Sequence, residues 1–307
     1  MRLSTSYTIL FASCCWAAQW AIDPLCNRQQ ITLAFQEALH LARNAIDTLD
    51  TYHGDTHVES MKRYIMGSGT NVNNARLSFE AILQFRQNPS AFSPYDDAWR
   101  NERTNHDVEI YCSSTRTQPH VNGMGWDRSL QRELDPTPYQ EILNCHNLNI
   151  GHSDSAITTW SDYFDMLGHI RSGAAPGDMN DYMTARPRFA YAIDICAWYL
   201  RLRLNQQPLN QNKVVAVVWT GFNGEVPADS VQADELLTLG GTILHELCHT
   251  MLGGRRRDVA GDRSYGWQQV GQLRTPENAD NIMWLAIAMK LFTLGYWIDD
   301  SGVLEVN

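Results

Sequence analysis

The strongest constraint on this chain of 307 residues is one pentapeptide, His245-Glu246-Leu247-Cys248-His249, within an apolar segment. In a helix, residues four apart lie on one face about one turn apart, so these two histidines can direct their rings at one point. Polar side chains are costly in an apolar setting unless they have partners or bind something. The pentapeptide therefore predicts a buried helix that carries a polar site.

The spacing of these residues matches H-E-x-x-H, which indicates a zinc site. Neutral imidazole is a good zinc ligand, and three protein ligands leave a fourth position for water. We expect His245 and His249 to bind one Zn²⁺ ion, and Glu246 to act as general base on a zinc-activated water. A structural pair of hydrogen-bonded histidines is the alternative reading.

A third ligand would decide the class of zinc site. The metzincin pattern requires Gly and His at positions that Leu252 and Arg255 occupy, so that pattern fails. A thermolysin-like glutamate has Glu277 as its candidate, far along the chain. Asp258 and Asp262 both follow the helix closely enough to reach the metal.

A family resemblance appears downstream of the pentapeptide. The segment Asp262-Arg263-Ser264-Tyr265-Gly266 resembles the D-x-x-Y-G motif of the aspzincins, zinc metallopeptidases that include the deuterolysins and the fungal lysine-specific metallo-endopeptidases. The segment Asn278-Ala279-Asp280-Asn281 is similar to their N-A-D-N/S segment. Residues 195–200 are similar to a further family segment, and weaker similarity covers residues 109–112 and the predicted helices within residues 31–85. The convincing similarity spans about residues 191–295.

This resemblance implies a set of roles. It implies zinc bound by His245, His249 and Asp262. It also implies that Tyr265 steadies the oxyanion of the tetrahedral intermediate and that Asp280 binds substrate.

Two positions depart from the family pattern. The family usually has Gly-Thr shortly before the aspartate, where this chain has Val259-Ala260-Gly261, so Asp258 stays open as a rival third ligand. Lysine-specific members carry an acid three residues after the N-A-D aspartate, where this chain has Met283. The resemblance therefore implies peptidase activity without implying a preference for lysine.

The N-terminus predicts secretion. Residues 1–21 combine a basic Arg2, an apolar stretch over residues 7–18 and small residues at Ala17, Ala18 and Ala21, as in a signal peptide. An N-terminal anchor helix is the alternative, although the stretch is shorter than the roughly 20 residues that a membrane span needs. After removal of the signal we expect no membrane association.

The net charge and the cysteines limit the partners and the cellular compartment that we expect for this protein. The formal net charge of −10 argues against a nucleic-acid partner, which would need clustered basic residues. Five of the seven cysteines lie beyond the signal, and an oxidising compartment favours one or two disulfides with at least one thiol left over. These five are Cys26, Cys112, Cys145, Cys196 and Cys248.

Periodicity predicts an α+β fold that is mostly helical, with a zincin-like arrangement of a small mixed sheet and an active-site helix. We expect a single catalytic domain over residues 22–307, with a helical and loop part to residue 190 and a zinc-binding part from residue 191. The predicted elements are helices over residues 31–49, 76–85, 235–252 and 278–291, a strand over residues 213–220, and loops with short elements over residues 86–185.

Together these features predict a secreted, extracellular zinc endopeptidase with polypeptide substrates, and the resemblance adds a fungal origin. The alternative is a secreted zinc-binding protein of the same fold without proteolysis, such as a scavenger or surface antigen. A secreted effector or toxin with one host target is a third option. Oligomeric state is not predicted.

Overall fold

A computed structural model describes residues 17–129, 131–148, 155–159, 190–222 and 232–307. These residues form an α+β fold with a mixed four-stranded sheet, which confirms the predicted class. The helices are α1 (Arg28–Thr51), α2 (Thr56–Met66), α3 (Gly69–Ile82), α4 (Asp97–Glu102), α5 (Pro136–Cys145), α6 (Ala197–Arg203), α7 (Gln211–Phe222), α8 (Leu239–His249), α9 (Trp267–Leu273) and α10 (Ala279–Thr293). None of the helices among the described residues has both the length and the apolar character that crossing a bilayer requires.

Nine short strands accompany these helices in the described part of the chain. They are β1 (Trp20–Ile22), β2 (Val108–Tyr111), β3 (Thr117–Pro119), β4 (Gly125–Asp127), β5 (Arg132–Leu134), β6 (Ala156–Thr159), β7 (Tyr191–Ile195), β8 (Tyr296–Ile298) and β9 (Leu304–Val306). Strands β3, β4 and β5 form an antiparallel sheet, and β8 pairs with β9.

Helix α1 forms much of the platform for the rest of the fold. It starts where the Asn27 side chain accepts a hydrogen bond from the Gln30 backbone, which satisfies one of the unpaired amides of the first turn. Apolar residues at steps of three and four, such as Ile31, Phe35 and Ala38, are buried along one face. This face packs against α8 and α10, so the platform supports both helices that carry the pentapeptide and the Asp280 segment.

The mixed sheet has the order β1-β2-β7-β6. The first three strands are parallel and buried, as expected for parallel strands covered on both faces. The last strand, β6, runs antiparallel to β7 and lies at the edge of the described sheet, near α8. A strand edge therefore runs beside the helix that carries the pentapeptide.

Several predicted elements have different boundaries or type in the structure; the helix predicted over residues 76–85, for example, is α3 over Gly69–Ile82. The Val-rich segment predicted as a strand over residues 213–220 belongs to helix α7. Val214 and Val217 are buried while Val215 is half exposed, which is a helical pattern of burial rather than alternation. The helix predicted over residues 235–252 is shorter, because α8 spans Leu239–His249 and a separate 3₁₀ turn covers Gln232–Leu236.

The segment predicted as a signal, residues 1–21, overlaps the first strand. Residues 1–16, which include Cys14 and Cys15, lie outside the described residues. Trp20 and Ala21 are fully buried in β1, and Trp20 stacks on Phe35. A cut after residue 21 would remove most of this strand. The signal peptide and its cleavage site stay predictions.

Two disulfides join elements next to the mixed sheet. Cys26 pairs with Cys112, which follows β2, and Cys145 at the end of α5 pairs with Cys196, which follows β7. Cys248 is the free cysteine of the described residues and is buried in α8, where burial raises the pKa of its thiol. The two bonds agree with the predicted number and fit an oxidising compartment.

Candidate metal centre

Helix α8 holds the pentapeptide in a fixed orientation. Its first turn is capped by Thr238, whose hydroxyl accepts a hydrogen bond from the Gly241 backbone at 3.1 Å. The same hydroxyl donates to the Glu37 carboxylate of α1 at 2.9 Å. A Cβ atom at Gly240 would lie 2.4 Å from the Glu37 carboxylate, so only glycine permits this close approach. Helix α8 is thereby tied to α1 at its N-terminus.

The pentapeptide brings two ring nitrogens together. His245 Nε2 and His249 Nε2 lie 3.1 Å apart, and the Asp258 carboxylate lies 3.4 Å from each of them. Donor atoms around a tetrahedral zinc ion with bonds of about 2.1 Å stand about 3.4 Å from one another. The three side chains therefore fit a His₂Asp metal site, and their donor atoms all lie within 4.8 Å of one another.

The contacts of the other nitrogen of each ring leave Nε2 as the atom that faces the cluster. His245 Nδ1 lies 3.1 Å from the Asp280 carboxylate, and His249 Nδ1 lies 2.8 Å from the Arg256 carbonyl oxygen. Both partners are acceptors, so each Nδ1 carries a proton in the neutral ring and each Nε2 presents a lone pair. Two facing lone pairs repel unless a cation lies between them. Outer partners of this kind are typical of zinc-binding histidines.

The electrostatics favour a positive charge at this point. Burial alone lowers the pKa of His245, but hydrogen bonds to Asp258 and Asp280 raise it well above its ordinary value. Burial raises the pKa of Asp258, yet the hydrogen bond and charge of His245, with the charge of His249, lower it to about 2. A bound divalent cation would satisfy the same set of groups. The Asp258 Oδ1 atom is buried and lies 3.4 Å from His245 Nε2.

The structure brings Asp258, rather than Asp262, to the paired rings. The segment before Asp258 is held by backbone hydrogen bonds from Arg256 to the Cys248 carbonyl and from Arg257 to the Glu277 carbonyl. Asp262 lies four residues later in an exposed 3₁₀ turn, beyond the cluster, and borders the neighbouring cavity. The aspartate of the D-x-x-Y-G segment therefore lies outside the candidate cluster, and Asp258 is the acid that lies beside the two rings.

Tyr265 nevertheless lies at the site. Its side chain hydrogen-bonds to Asp258, and its ring centroid is 5.7 Å from that of His245. The ring is partly exposed to the cleft. The preceding carbonyl, of Ser264, accepts a hydrogen bond from the buried Asn278 side chain, which also donates to Asn281. The N-A-D-N segment thus fixes the loop from which Tyr265 projects.

Asp280 has a different environment from the one expected of a substrate-binding acid. One of its oxygens faces His245 Nδ1, and the other accepts hydrogen bonds from the Gly266 backbone at 2.8 Å and from Trp284 Nε1 at 3.1 Å. The residue borders a cavity but is almost fully buried. These contacts let Asp280 orient the His245 ring, and its role in substrate binding stays a prediction.

Glu246 is adjacent in sequence to His245 of the candidate metal-binding group, and a neighbouring strand holds its side chain. It is buried, and its Oε2 atom accepts a hydrogen bond from the Thr158 hydroxyl of β6 at 2.7 Å. Two cavities meet at Glu246. One has a volume of about 310 Å³ and is bordered by Leu237, Met283 and Trp284. The other has a volume of about 390 Å³, is more polar and lies along β6. The metal cluster therefore opens onto a continuous cleft.

Sequence reasoning missed two contributors to this site. Thr158 lies in a region that we interpreted as loops with short elements, and nothing in its local sequence indicates a contact with Glu246. Arg256 contributes its backbone carbonyl, and a backbone group leaves no signature in the side-chain pattern. Both contacts depend on segments that only the fold brings together.

Comparison with models of protein families, with curated proteins and with solved structures gave no match for this chain. The aspzincin resemblance and the zincin-like arrangement are therefore supported by the residues described above and by nothing further, and both stay predictions.

Proposed function

We propose that this protein is a secreted zinc-dependent endopeptidase. The observation that carries the proposal is the convergence of three donors at tetrahedral spacing, on His245, His249 and Asp258, beside a buried carboxylate on Glu246. A purely structural histidine pair would not need two lone pairs directed at one point with an acid beside them.

These residues would divide the chemistry as follows. Zinc held by His245, His249 and Asp258 would lower the pKa of a coordinated water to about 7 and polarise a substrate carbonyl. Glu246 accepts a proton from the attacking water and passes it to the leaving amine. The partly exposed Tyr265 hydroxyl donates a hydrogen bond to the oxyanion as charge develops there. Asp280 and the Arg256 carbonyl keep the ligand rings oriented.

The cleft supports a polypeptide as the substrate. Strand β6 lies at the edge of the described sheet and lines both cavities around Glu246. An extended peptide can add to such an edge through backbone hydrogen bonds, which bind many sequences while pockets select side chains. Two cavities flanking the cluster provide room for side chains on either side of the bond that is cut. The placement of Glu246 and Tyr265 favours this function over zinc binding without proteolysis.

The test uses the purified full chain after signal removal, loaded with one zinc ion. We expect cleavage of an unfolded, reduced protein such as casein, loss of activity on treatment with a chelator and recovery on addition of zinc. Glu246→Gln should keep zinc affinity and lose activity by about a thousandfold or more, because the proton acceptor is gone. Zinc binding without cleavage of any unfolded protein would leave the non-proteolytic alternative.

A further inference from the structure

The edge strand β6 presents two consecutive threonines to opposite sides of the sheet, as successive residues of a strand do. The Thr159 hydroxyl accepts a hydrogen bond from Arg116 at 2.7 Å. Arg116 is itself buried beside Asp194 and Asp127. Thr158 faces the other way, toward α8. The strand is thus held by a buried ion network on one side and by Glu246 on the other.

The contact between Thr158 and Glu246 is a charge-assisted hydrogen bond. The Thr158 hydroxyl lies 2.7 Å from Glu246 Oε2 and 3.3 Å from the Glu246 carbonyl oxygen. A hydroxyl has one proton, and the shorter distance to a carboxylate makes that oxygen the stronger acceptor. Among the described residues, the hydrogen bond from Thr158 to the Glu246 carboxylate reaches Oε2 and not the second oxygen, Oε1.

The hydrogen bond on Oε2 restricts the direction in which Oε1 of Glu246 points. The last torsion of a glutamate side chain is broad, so an isolated carboxylate samples many orientations. Anchoring Oε2 fixes the carboxylate plane and leaves Oε1 as the oxygen free to accept a proton from water. Groups that act on a reacting atom are most effective when neighbours hold them in position before the reaction.

We propose that Thr158 is a positioning residue for the general base: its hydroxyl holds Oε2 of Glu246 so that Oε1 faces the attacking water. This inference rests on the proposed endopeptidase function. It also links β6, the strand beside which substrate would lie, to the base that acts on the bond being cut.

The test compares Thr158→Val with Thr158→Ser in the zinc-loaded full chain. Valine keeps the shape of threonine and removes the hydroxyl, whereas serine keeps the hydroxyl. We expect kcat of Thr158→Val to fall about ten- to a hundredfold, the range that corresponds to loss of a hydrogen bond to a charged group. We expect KM to change by less than about threefold, since substrate binding does not use this hydroxyl. Serine should recover most of kcat.

Two further measurements separate positioning from a loss of structure. Zinc affinity, measured by competition with a chelator, should stay within about threefold of wild type in both variants, because Thr158 touches no ligand. Thr159→Val is the matched control: the same change one residue along should lower the midpoint of thermal unfolding while kcat of the folded, zinc-loaded fraction stays within about twofold.

The possible outcomes separate a failure of the role inferred for Thr158 from a failure of the proposed peptidase function. If wild type cleaves protein and Thr158→Val retains kcat, the inference is overturned and the peptidase assignment stands. If valine and serine variants are equally impaired, the hydroxyl is not the cause and the inference is again overturned. If wild type binds zinc and cleaves nothing, the proposed function itself fails, and the role of Thr158 fails with it.

Discussion

His249 Nδ1 lies 2.8 Å from the carbonyl oxygen of Arg256, seven residues along the chain. The orientation of one predicted ligand ring therefore depends on the position of a loop. The Arg256 side chain anchors that loop to α3 through Ser78 and to Glu277 through an ion pair of 2.9 Å. The same residue thus joins a distant helix to the metal centre.

Removal of this anchor should weaken the metal site from outside it. In Arg256→Ala the loop loses its side-chain contacts, so we expect zinc affinity to fall by roughly tenfold, as for other outer partners of a ligand histidine. Competition against a fluorescent zinc chelator measures the change. Arg201→Ala, which removes a guanidinium from an exposed helix position, is the control. Equal affinities for the two variants would show that the loop holds its position without Arg256.

The third ligand can be identified by comparing the zinc affinities of variants at Asp258 and Asp262. We expect Asp258→Asn to lower zinc affinity by more than about a hundredfold, beyond the range for outer partners, because it removes a charged ligand. Asp262→Asn should change zinc affinity by less than about threefold, since its side chain lies outside the cluster. Isothermal titration of both variants with zinc decides between them. The reverse ranking would restore the ligand set that the aspzincin resemblance implies.

Asp280 should act through His245 rather than through substrate. In Asp280→Asn the amide cannot accept from the Gly266 backbone and Trp284 while also facing His245 Nδ1 with an oxygen. We expect zinc affinity to fall about ten- to a hundredfold. Asp300→Asn, at an exposed acid, serves as the control. A variant that keeps full zinc affinity while KM rises would instead support the predicted substrate-binding role.

The buried Glu37 carboxylate should make the free energy of unfolding depend on pH. Burial raises the pKa of this carboxylate above its ordinary value, although hydrogen bonds from Leu209, Thr238 and Gly240 act in the opposite direction. The folded state therefore binds this proton more tightly than the unfolded state does. The stabilising effect of the proton is complete below the unfolded pKa and is lost as pH rises through the folded pKa.

A neutral variant tests the sign of this effect. The free energy of unfolding of Glu37→Gln, measured relative to wild type by denaturant titration, should increase as pH rises from about 4 to 7. At the low end both proteins are neutral at this position, so differences common to the substitution cancel along the series. A decrease with pH would mean that the ionised carboxylate stabilises the N-terminus of α8 more than its burial costs.

Some parts of the fold could be predicted from sequence because one strong local pattern fixed them. Helix α1 has apolar residues at steps of three and four, and α10 begins directly after Asn278 as predicted. The strand predicted for the Val-rich segment of α7 was wrong, because a continuous apolar run suits a strand and a buried helix equally. Here the burial of Val214 and Val217 on one side overrode the preference of valine for strands.

The site shows the same division. The spacing of His245 and His249 places two rings on one helix face, and this much depends on helix geometry alone. The third ligand depends on how a loop returns to the helix, which backbone hydrogen bonds at Arg256 and Arg257 decide. The contact between Thr158 and Glu246 spans 88 residues of sequence, so it requires the sheet topology. Local spacing thus predicted the ligand pair, and the fold determined the remaining partners.

Anomalous diffraction at the zinc absorption edge, from crystals of the zinc-loaded protein, would locate the metal directly. We expect a single strong peak about 2.0–2.2 Å from His245 Nε2, from His249 Nε2 and from a carboxylate oxygen of Asp258, with one position left for water. A peak elsewhere, or no peak between these three side chains at saturating zinc, would contradict this expectation.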